Sequence, residues 1–278
     1  MSPLRPIPGL SRPVAALSGI GAAVERILAY LGGLGALIAS SIAALALSPL
    51  KRGRTFDRAV HQAMAVGVRA IPIITLITFF VGVIIALQGA YGLQRLGALQ
   101  LVAGLVAISI TRELGPLVAA IVVIGRSGSA FAAEIGAMRV TEELDALRTM
   151  ALDPIAFLVT PKVAAMVVML PCLTIWSDLM GVAGGALFGV TGAGFTLGSY
   201  FLATRETLAL RDVTTGLAKS LVFGIVITAV GSQEGFSTGA GAEEVGRSTT
   251  SAVVISILLV VLIDLAFTYL FYSARPGV

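Results

Sequence analysis

Five long apolar segments, separated by polar connections, constrain the fold of this chain more than any other feature. They cover residues 71–91, 99–124, 157–192, 216–231 and 250–272. About 20 apolar residues are enough for a helix to cross a bilayer. The chain is 57% hydrophobic and only 12% charged, whereas a soluble domain carries about 25% charged residues. We therefore predict an all-α integral membrane protein whose five transmembrane helices form one domain, residues 70–278.

Residues 1–69 are predicted to form an irregular cytoplasmic tail, residues 1–19, followed by one more apolar helix. Residues 27–47 are long enough to span a bilayer, but basic residues flank them on both sides. Because basic flanks favour the cytoplasmic side, we favour an interfacial helix that lies in the inner leaflet. A true membrane span is the alternative. With five spans, the N-terminus is expected in the cytoplasm and the C-terminus on the opposite side.

Charged residues lie inside several of the apolar segments, and four of them are candidates for a substrate site. Arg112 and Glu113 are in the second, Lys219 in the fourth and Asp264 in the last. Charged side chains at membrane depth are costly and commonly functional. Adjacent helical residues point about 100° apart, so Arg112 and Glu113 need separate partners, with Lys219, Asp178 and Asp264 as candidates. The charges either face a substrate cavity or form structural ion pairs between helices.

Residues 126–150 are too polar to span and are predicted to form an amphipathic helix on the cytoplasmic side. Ser127 or Ser129 can cap this helix, and one face carries charges of both signs. Anionic lipid prefers a run of basic residues, so the mixed signs favour a protein partner, with a solvated loop as the alternative. The candidate contact residues are Ser129, Glu134, Arg139, Glu142, Glu143 and Asp145.

The sequence lacks the motifs of an enzyme. None of its three lysines follows a glycine, so no phosphate-binding GxxxxGK[ST] loop exists, and neither HExxH nor GxSxG occurs. His61 and Cys172 are each the only residue of their type, so no metal site or intrachain disulfide is expected. No basic patch with interleaved aromatic residues indicates nucleic-acid binding. If ATP drives this protein, a separate subunit must supply the nucleotide site.

Small residues mark one face of the third apolar segment. Gly181, Gly185 and Gly189 recur at every fourth position, a spacing that lets another helix approach closely. The neighbour is either a helix of the same chain or a second subunit.

Several long motifs in consistent order resemble the MlaE family of ABC-transporter permeases. They are RELGPLVAAIVVIGRSGSAFAAEIGAMRVTEELDAL from Arg112, ALDP at 151–154, KSLVFG at 219–224 and VGRSTTSAVV at 245–254. The resemblance runs from about residue 70 to residue 272. It implies five spans preceded by an interfacial helix, with residues 126–150 as the cytoplasmic coupling helix. It also implies that Arg112, Glu113 and Lys219 lie near a lipid cavity.

The same resemblance implies the assembly and its activity. A homodimer would bind two cytoplasmic ATPase subunits, which hold ATP and magnesium, while this chain binds no cofactor. A carrier with MCE domains, expected to be a hexamer, would lie on the far side, and a small accessory subunit is compatible with the family. The complex would move phospholipid between the bacterial inner membrane and the carrier and so maintain outer-membrane lipid asymmetry.

An ion-coupled transporter that acts alone is the main alternative. It would use the intramembrane charges as a proton or ion relay and need no ATPase. A membrane scaffold without transport activity is a poorer explanation, because it gives the charges inside the spans no role.

Overall fold

The computed structural model describes residues 11–47 and 52–273, and this part of the chain is helical, without strands. We number the helices α1 to α8. Their bounds are α1 Ser11–Leu47, α2 Arg52–Gln94, α3 Leu99–Val140, α4 Glu143–Thr149, α5 Ile155–Gly192, α6 Leu197–Thr207, α7 Leu210–Ser237 and α8 Ala242–Ser273.

Six of these helices are long and apolar enough to cross a membrane. The five predicted spans lie in α2, α3, α5, α7 and α8, and the sixth candidate is Val24–Ala44 of α1. The helices extend beyond the apolar segments, because polar residues can continue a helix outside the hydrocarbon region. Residue 70, the predicted start of the five-span domain, accordingly lies inside α2.

The bundle has two ends, which we name after the short helices found there. At the α4 end, α2 and α5 begin close together, since the Arg58 guanidinium carbon lies 3.7 Å from the centre of the Phe157 ring. At the α6 end, α3 begins beside the end of α5, and Ala103, Ala186 and Tyr200 pack together. Tyr200 is fully buried there, and burial raises the pKa of its phenol to about 12.

Helix α1 is packed on the α4 half of the bundle. The Tyr30 hydroxyl donates a hydrogen bond to Glu234 Oε1 over 2.8 Å, and Gln233 Nε2 donates to the Tyr30 carbonyl over 3.1 Å. Leu34 and Leu37 are buried against α7 and α5. Leu34 and Leu37 thus face the α4 half of the bundle. The interfacial arrangement nevertheless stays a prediction.

The glycines of α5 pack inside the chain. A Cβ at Gly181 would lie 2.8 Å from Ile110, one at Gly185 would lie 2.6 Å from Val106, and Gly189 faces the Tyr200 ring. These residues are buried against α3 and α6, which supports intrachain packing rather than a subunit interface. Gly184 faces α2, where an added Cβ would meet the Phe79 carbonyl oxygen.

We expect Gly184→Ala to destabilise the protein by about 1–3 kcal/mol or more, because the new methyl group meets backbone that cannot rotate away. The matched control is Gly246→Ala. Gly246 is an exposed helical glycine with no atom within 4 Å of an added Cβ, and alanine is the better helix former. Thermal unfolding in detergent measures both variants. Equal melting temperatures would contradict the tight packing of α2 on α5.

Candidate functional site

A buried charge network connects α3, α7 and α8. It consists of Glu113, Lys219, Asp264 and Thr268. Lys219 Nζ lies 2.6 Å from Glu113 Oε2, 2.9 Å from Asp264 Oδ1 and 2.8 Å from Thr268 Oγ1. The Thr268 hydroxyl in turn donates to the Glu113 carboxylate over 3.1 Å. One ammonium group thus bridges two carboxylates on different helices.

The charge network contains two carboxyl groups and one ammonium group. The Lys219 side chain is fully buried, that of Asp264 is 16% exposed and that of Glu113 is 36% exposed. The exposed fraction therefore increases from the ammonium group outwards to the Glu113 carboxylate. Charges in such a position are stable only when they are paired or hydrated. Glu113 is thus the member best placed to meet a polar group from outside the bundle.

The backbone explains why these side chains meet. Glu113 lies in a π-helical segment of α3, Ile110–Leu114. Segments of this kind insert an extra residue into a helix and are frequent at functional sites. Asp264 and Thr268 are four residues apart, so both lie on the same face of α8. Lys219 and Asp264 are candidate partners predicted from the sequence. Thr268 was not predicted, although its four-residue spacing from Asp264 could have indicated it.

Arg112 has a different partner from those that the sequence suggested. Its Nε lies 3.6 Å from Asp212 Oδ1 on α7, and both side chains are mostly buried. Asp212 also accepts a hydrogen bond from the Ala209 backbone N–H at the start of α7. The signal for this pair is the seven-residue spacing between Asp212 and Lys219, which puts both on one face of α7. Arg112 and Glu113 thus have separate partners, as predicted.

Asp178 does not join the charge network. It faces Gly115 of α3, where an added Cβ would meet its Oδ1. That oxygen is buried and accepts no hydrogen bond from the residues that the structure describes. The neighbouring Ser177 hydroxyl donates to the Gly115 carbonyl over 3.1 Å.

The predicted amphipathic helix is divided between the last part of α3 and α4. Ser129 does not cap a helix, because α3 is continuous through a second π-helical segment, Ile124–Gly128. The Ser129 hydroxyl instead donates to the Gly125 carbonyl. The break lies at Glu142, which has a left-handed backbone conformation with φ of 60°. Leu144 and Leu147 of α4 are buried with Ile135, which leaves a charged face exposed.

Arg139, Glu142 and Asp145 line one large cavity at the α4 end. Its volume is about 680 Å³, and its wall also contains apolar residues. Glu143 is exposed nearby and accepts a hydrogen bond from the Thr141 hydroxyl.

Glu134 is held differently from the other residues of this segment. It accepts a hydrogen bond of 2.9 Å from Lys162 of α5, whose side chain is only 2% exposed. This pair was not predicted from the sequence. Its only signal in the sequence is a lysine near the start of the apolar segment 157–192.

The fold is that of a multi-pass helical membrane protein, and charges buried between its spans are typical of the transport class. The profile described as permease MlaE matches residues 59–270. The chain thus belongs to the MlaE family of permeases.

Individual relatives agree with this assignment. A probable ABC transporter permease of Rickettsia bellii is 39% identical over 256 residues, which cover 92% of this chain and 97% of the relative. A second one, from Rickettsia prowazekii, is 42% identical over 77% of this chain and 83% of its own length. The intermembrane phospholipid transport system permease protein MlaE of Haemophilus influenzae is 34% identical over 79% of this chain and 84% of its own length. These names agree with the prediction of a permease subunit rather than an enzyme.

Proposed function

We propose that this chain is the permease subunit of an ABC-type phospholipid transporter in the bacterial inner membrane. The charge network carries the proposal, because a paired but unbalanced set of charges at membrane depth suits a site for a polar lipid headgroup. The name of the Haemophilus influenzae relative, which specifies phospholipid transport, supports the choice of substrate. Lipid would pass between the inner membrane and an MCE-domain carrier and so maintain outer-membrane asymmetry.

In this proposal Glu113 and Arg112 contact the lipid headgroup, while Lys219 and Asp264 hold Glu113 in position. The greater exposure of the Glu113 side chain supports this division. A lipid that displaced one member would change the pairing of the others, because Lys219 bridges both carboxylates. Binding and release can then be coupled to small shifts of α3, α7 and α8.

Helix α3 supplies the mechanical connection to an ATPase. Glu113 and Arg139 lie on the same helix, about 39 Å apart at a rise of 1.5 Å per residue. Two π-helical segments interrupt its regular hydrogen bonding, and they are natural points at which the helix can adjust. A movement imposed at the α4 end would therefore reach the charge network along one helix.

The proposal assigns each end of the bundle to one side of the membrane. Two ATPase subunits, which bind ATP and magnesium, dock at the α4 end through Arg139, Glu142, Glu143 and Asp145 of a permease homodimer. The N-terminus is cytoplasmic, and the C-terminus and the α6 end are periplasmic, where the carrier hexamer and any small accessory subunit bind. The exposed charges around the large cavity at the α4 end support this arrangement.

An ion-coupled transporter is the second candidate, because the extra carboxylate of the charge network could carry a proton. We expect transfer of labelled phospholipid by the reconstituted complex to require ATP and to persist when an ionophore collapses ion gradients. Glu113→Gln should reduce transfer at least tenfold while the assembly stays intact. Glu25→Gln, the same change on an exposed glutamate of α1 outside the charge network and the large cavity, is the control. Transfer that follows an ion gradient without ATP would establish the second candidate instead.

A further inference from the structure

Asp178 is an acidic residue near the middle of the apolar segment 157–192, and no contact that supports the proposed function uses it. The residue is mostly buried, and its Oδ1 atom has no hydrogen-bond partner among the residues that the structure describes. Inside a membrane, an isolated carboxylate costs far more free energy than a neutral carboxyl group. Whether Asp178 carries a charge therefore depends on the charged groups that can reach it.

The cations of the neighbouring helices are paired elsewhere or lie far from Asp178 along the chain. Helix α2 has no charged residue between Arg69 and Arg95, at the two ends of its apolar segment. On α5 itself, Lys162 precedes Asp178 by 16 residues, a rise of about 24 Å. Arg126 of α3 lies eleven residues beyond the glycine that Asp178 faces, a rise of about 16 Å. The remaining ionisable groups of α3 and α7 near the charge network form the pairs described above: Arg112 with Asp212, and Lys219 with Glu113 and Asp264. Within the described chain, Asp178 therefore has no countercharge.

The Asp178 carboxyl group occupies the place that a side chain at residue 115 would need. A Cβ added at Gly115 would meet Asp178 Oδ1 and would lie 3.0 Å from the Ile110 carbonyl oxygen. The two oxygens therefore border the same small space. An ionised carboxylate would repel the partial negative charge of this carbonyl oxygen, whereas a protonated carboxyl group can donate a hydrogen bond to it. The contact thus favours the neutral acid.

This contact lies at the end of the π-helical segment that carries Glu113. The Gly115 N–H donates to the Ile110 carbonyl, and the Ser177 hydroxyl donates to the Gly115 carbonyl over 3.1 Å. Residues two apart on a helix face nearly opposite sides, so Asp178 meets α3 on the side away from the Glu113 side chain. The neutral acid therefore holds the rear of the helix segment that presents Glu113.

We propose that Asp178 is a proton-binding residue, which stays neutral in the membrane and seats α5 on the π-helical segment of α3. It is thus a positioning residue that acts on Glu113 through α3. The proposal follows from the contacts of Asp178 alone. It does not depend on the transport activity proposed above, and its tests do not measure transport.

Infrared spectroscopy of the purified full chain at neutral pH, in a detergent without ester groups, tests the protonation state. A protonated carboxyl group has a carbonyl stretching band that a carboxylate lacks. The wild type should show such a band, and Asp178→Asn should lose it. The control is Asp57→Asn, the same substitution at an exposed aspartate of α2, which should leave the band unchanged. If Asp178→Asn removes a carboxylate band instead, Asp178 is ionised and the proposal is wrong.

Carbon-13 labelling replaces the variant if Asp178→Asn does not fold. The label on the aspartate carboxyl groups of the wild type should then shift a carbonyl band of a protonated acid. A labelled spectrum without a shifted band of this kind would contradict the proposal.

The pH dependence of equilibrium unfolding in a denaturing detergent is the second test. Exposed to water in the unfolded chain, aspartic acid releases its proton above about pH 4. The folded wild type then holds one proton more than the unfolded chain, so rising pH favours unfolding. Between about pH 5 and 7, the unfolding constant of the wild type should rise about tenfold per pH unit relative to that of Asp178→Asn. The variant keeps the shape and a hydrogen-bond donor. A constant ratio of the two unfolding constants over this range would overturn the proposal.

Discussion

Replacing Lys219 with methionine should remove most of the folded protein from membranes. The change leaves the carboxylates of Glu113 and Asp264 without the ammonium group that bridges them at 2.6 and 2.9 Å. Breaking a buried ion pair by removing one partner costs about 3–5 kcal/mol, a large share of a stability of about 5–15 kcal/mol. The yield of monodisperse protein and its melting temperature measure the effect. A variant that melts like the wild type would show that the charge network contributes little to stability.

Two further variants separate the structural role of Lys219 from a functional one. Lys219→Arg keeps the charge and should retain part of the stability. The triple variant Lys219→Met/Glu113→Gln/Asp264→Asn carries no charge in the network and should fold better than Lys219→Met alone. If the network handles lipid, the triple variant should fold but transport at most a tenth as fast as the wild type. Wild-type transport in this variant would reduce the network to a structural element.

Reversing the charges of Glu142 and Glu143 should abolish binding of the ATPase subunit. Both side chains are exposed, Glu142 on the turn between α3 and α4 and Glu143 at the first position of α4. Like charges brought together across an interface cost several kcal/mol, so Glu142→Lys/Glu143→Lys should weaken binding at least tenfold. Co-purification of the ATPase with the tagged permease measures this.

The control is Glu206→Lys, the same type of substitution at one exposed glutamate of the α6 end. It should leave ATPase binding intact. The double variant should also keep the wild-type melting temperature, because lysine tolerates the left-handed backbone of residue 142 about as well as glutamate does. Undiminished co-purification of a folded double variant would contradict docking at this turn.

The helices and part of the charge network could be predicted from the sequence. Hydropathy, and the free-energy cost of a charged side chain at membrane depth, can both be judged from a single segment. The pairing of Glu113 with Lys219 followed from the scarcity of charges inside the spans. The Arg112–Asp212 pair did not, because Asp212 lies in what looked like a polar connection and its position depends on where α7 begins. The rotation of α3 around its axis, which decides what each residue faces, depends on two π-helical segments that hydropathy does not reveal.

Ser129 is a second case in which the local sequence did not predict the role of a residue. A serine before an amphipathic stretch is a good candidate cap, but the helix continues through it. The pairing of Lys162 with Glu134 depends on how the start of α5 meets the end of α3, and neither segment contains that information alone.

The order of synthesis gives the charge network a further consequence, for the way in which the chain enters the bilayer. A lysine at the centre of a spanning helix opposes insertion by about 2.5–3.5 kcal/mol. Helix α3 leaves the ribosome before α7, so the Glu113 carboxylate is already present when Lys219 arrives and can accept its ammonium group. Asp264 and Thr268 follow last and close the network around a cation that is already neutralised. We therefore expect biogenesis of this permease to depend on α3 remaining beside the insertion site until α7 has emerged.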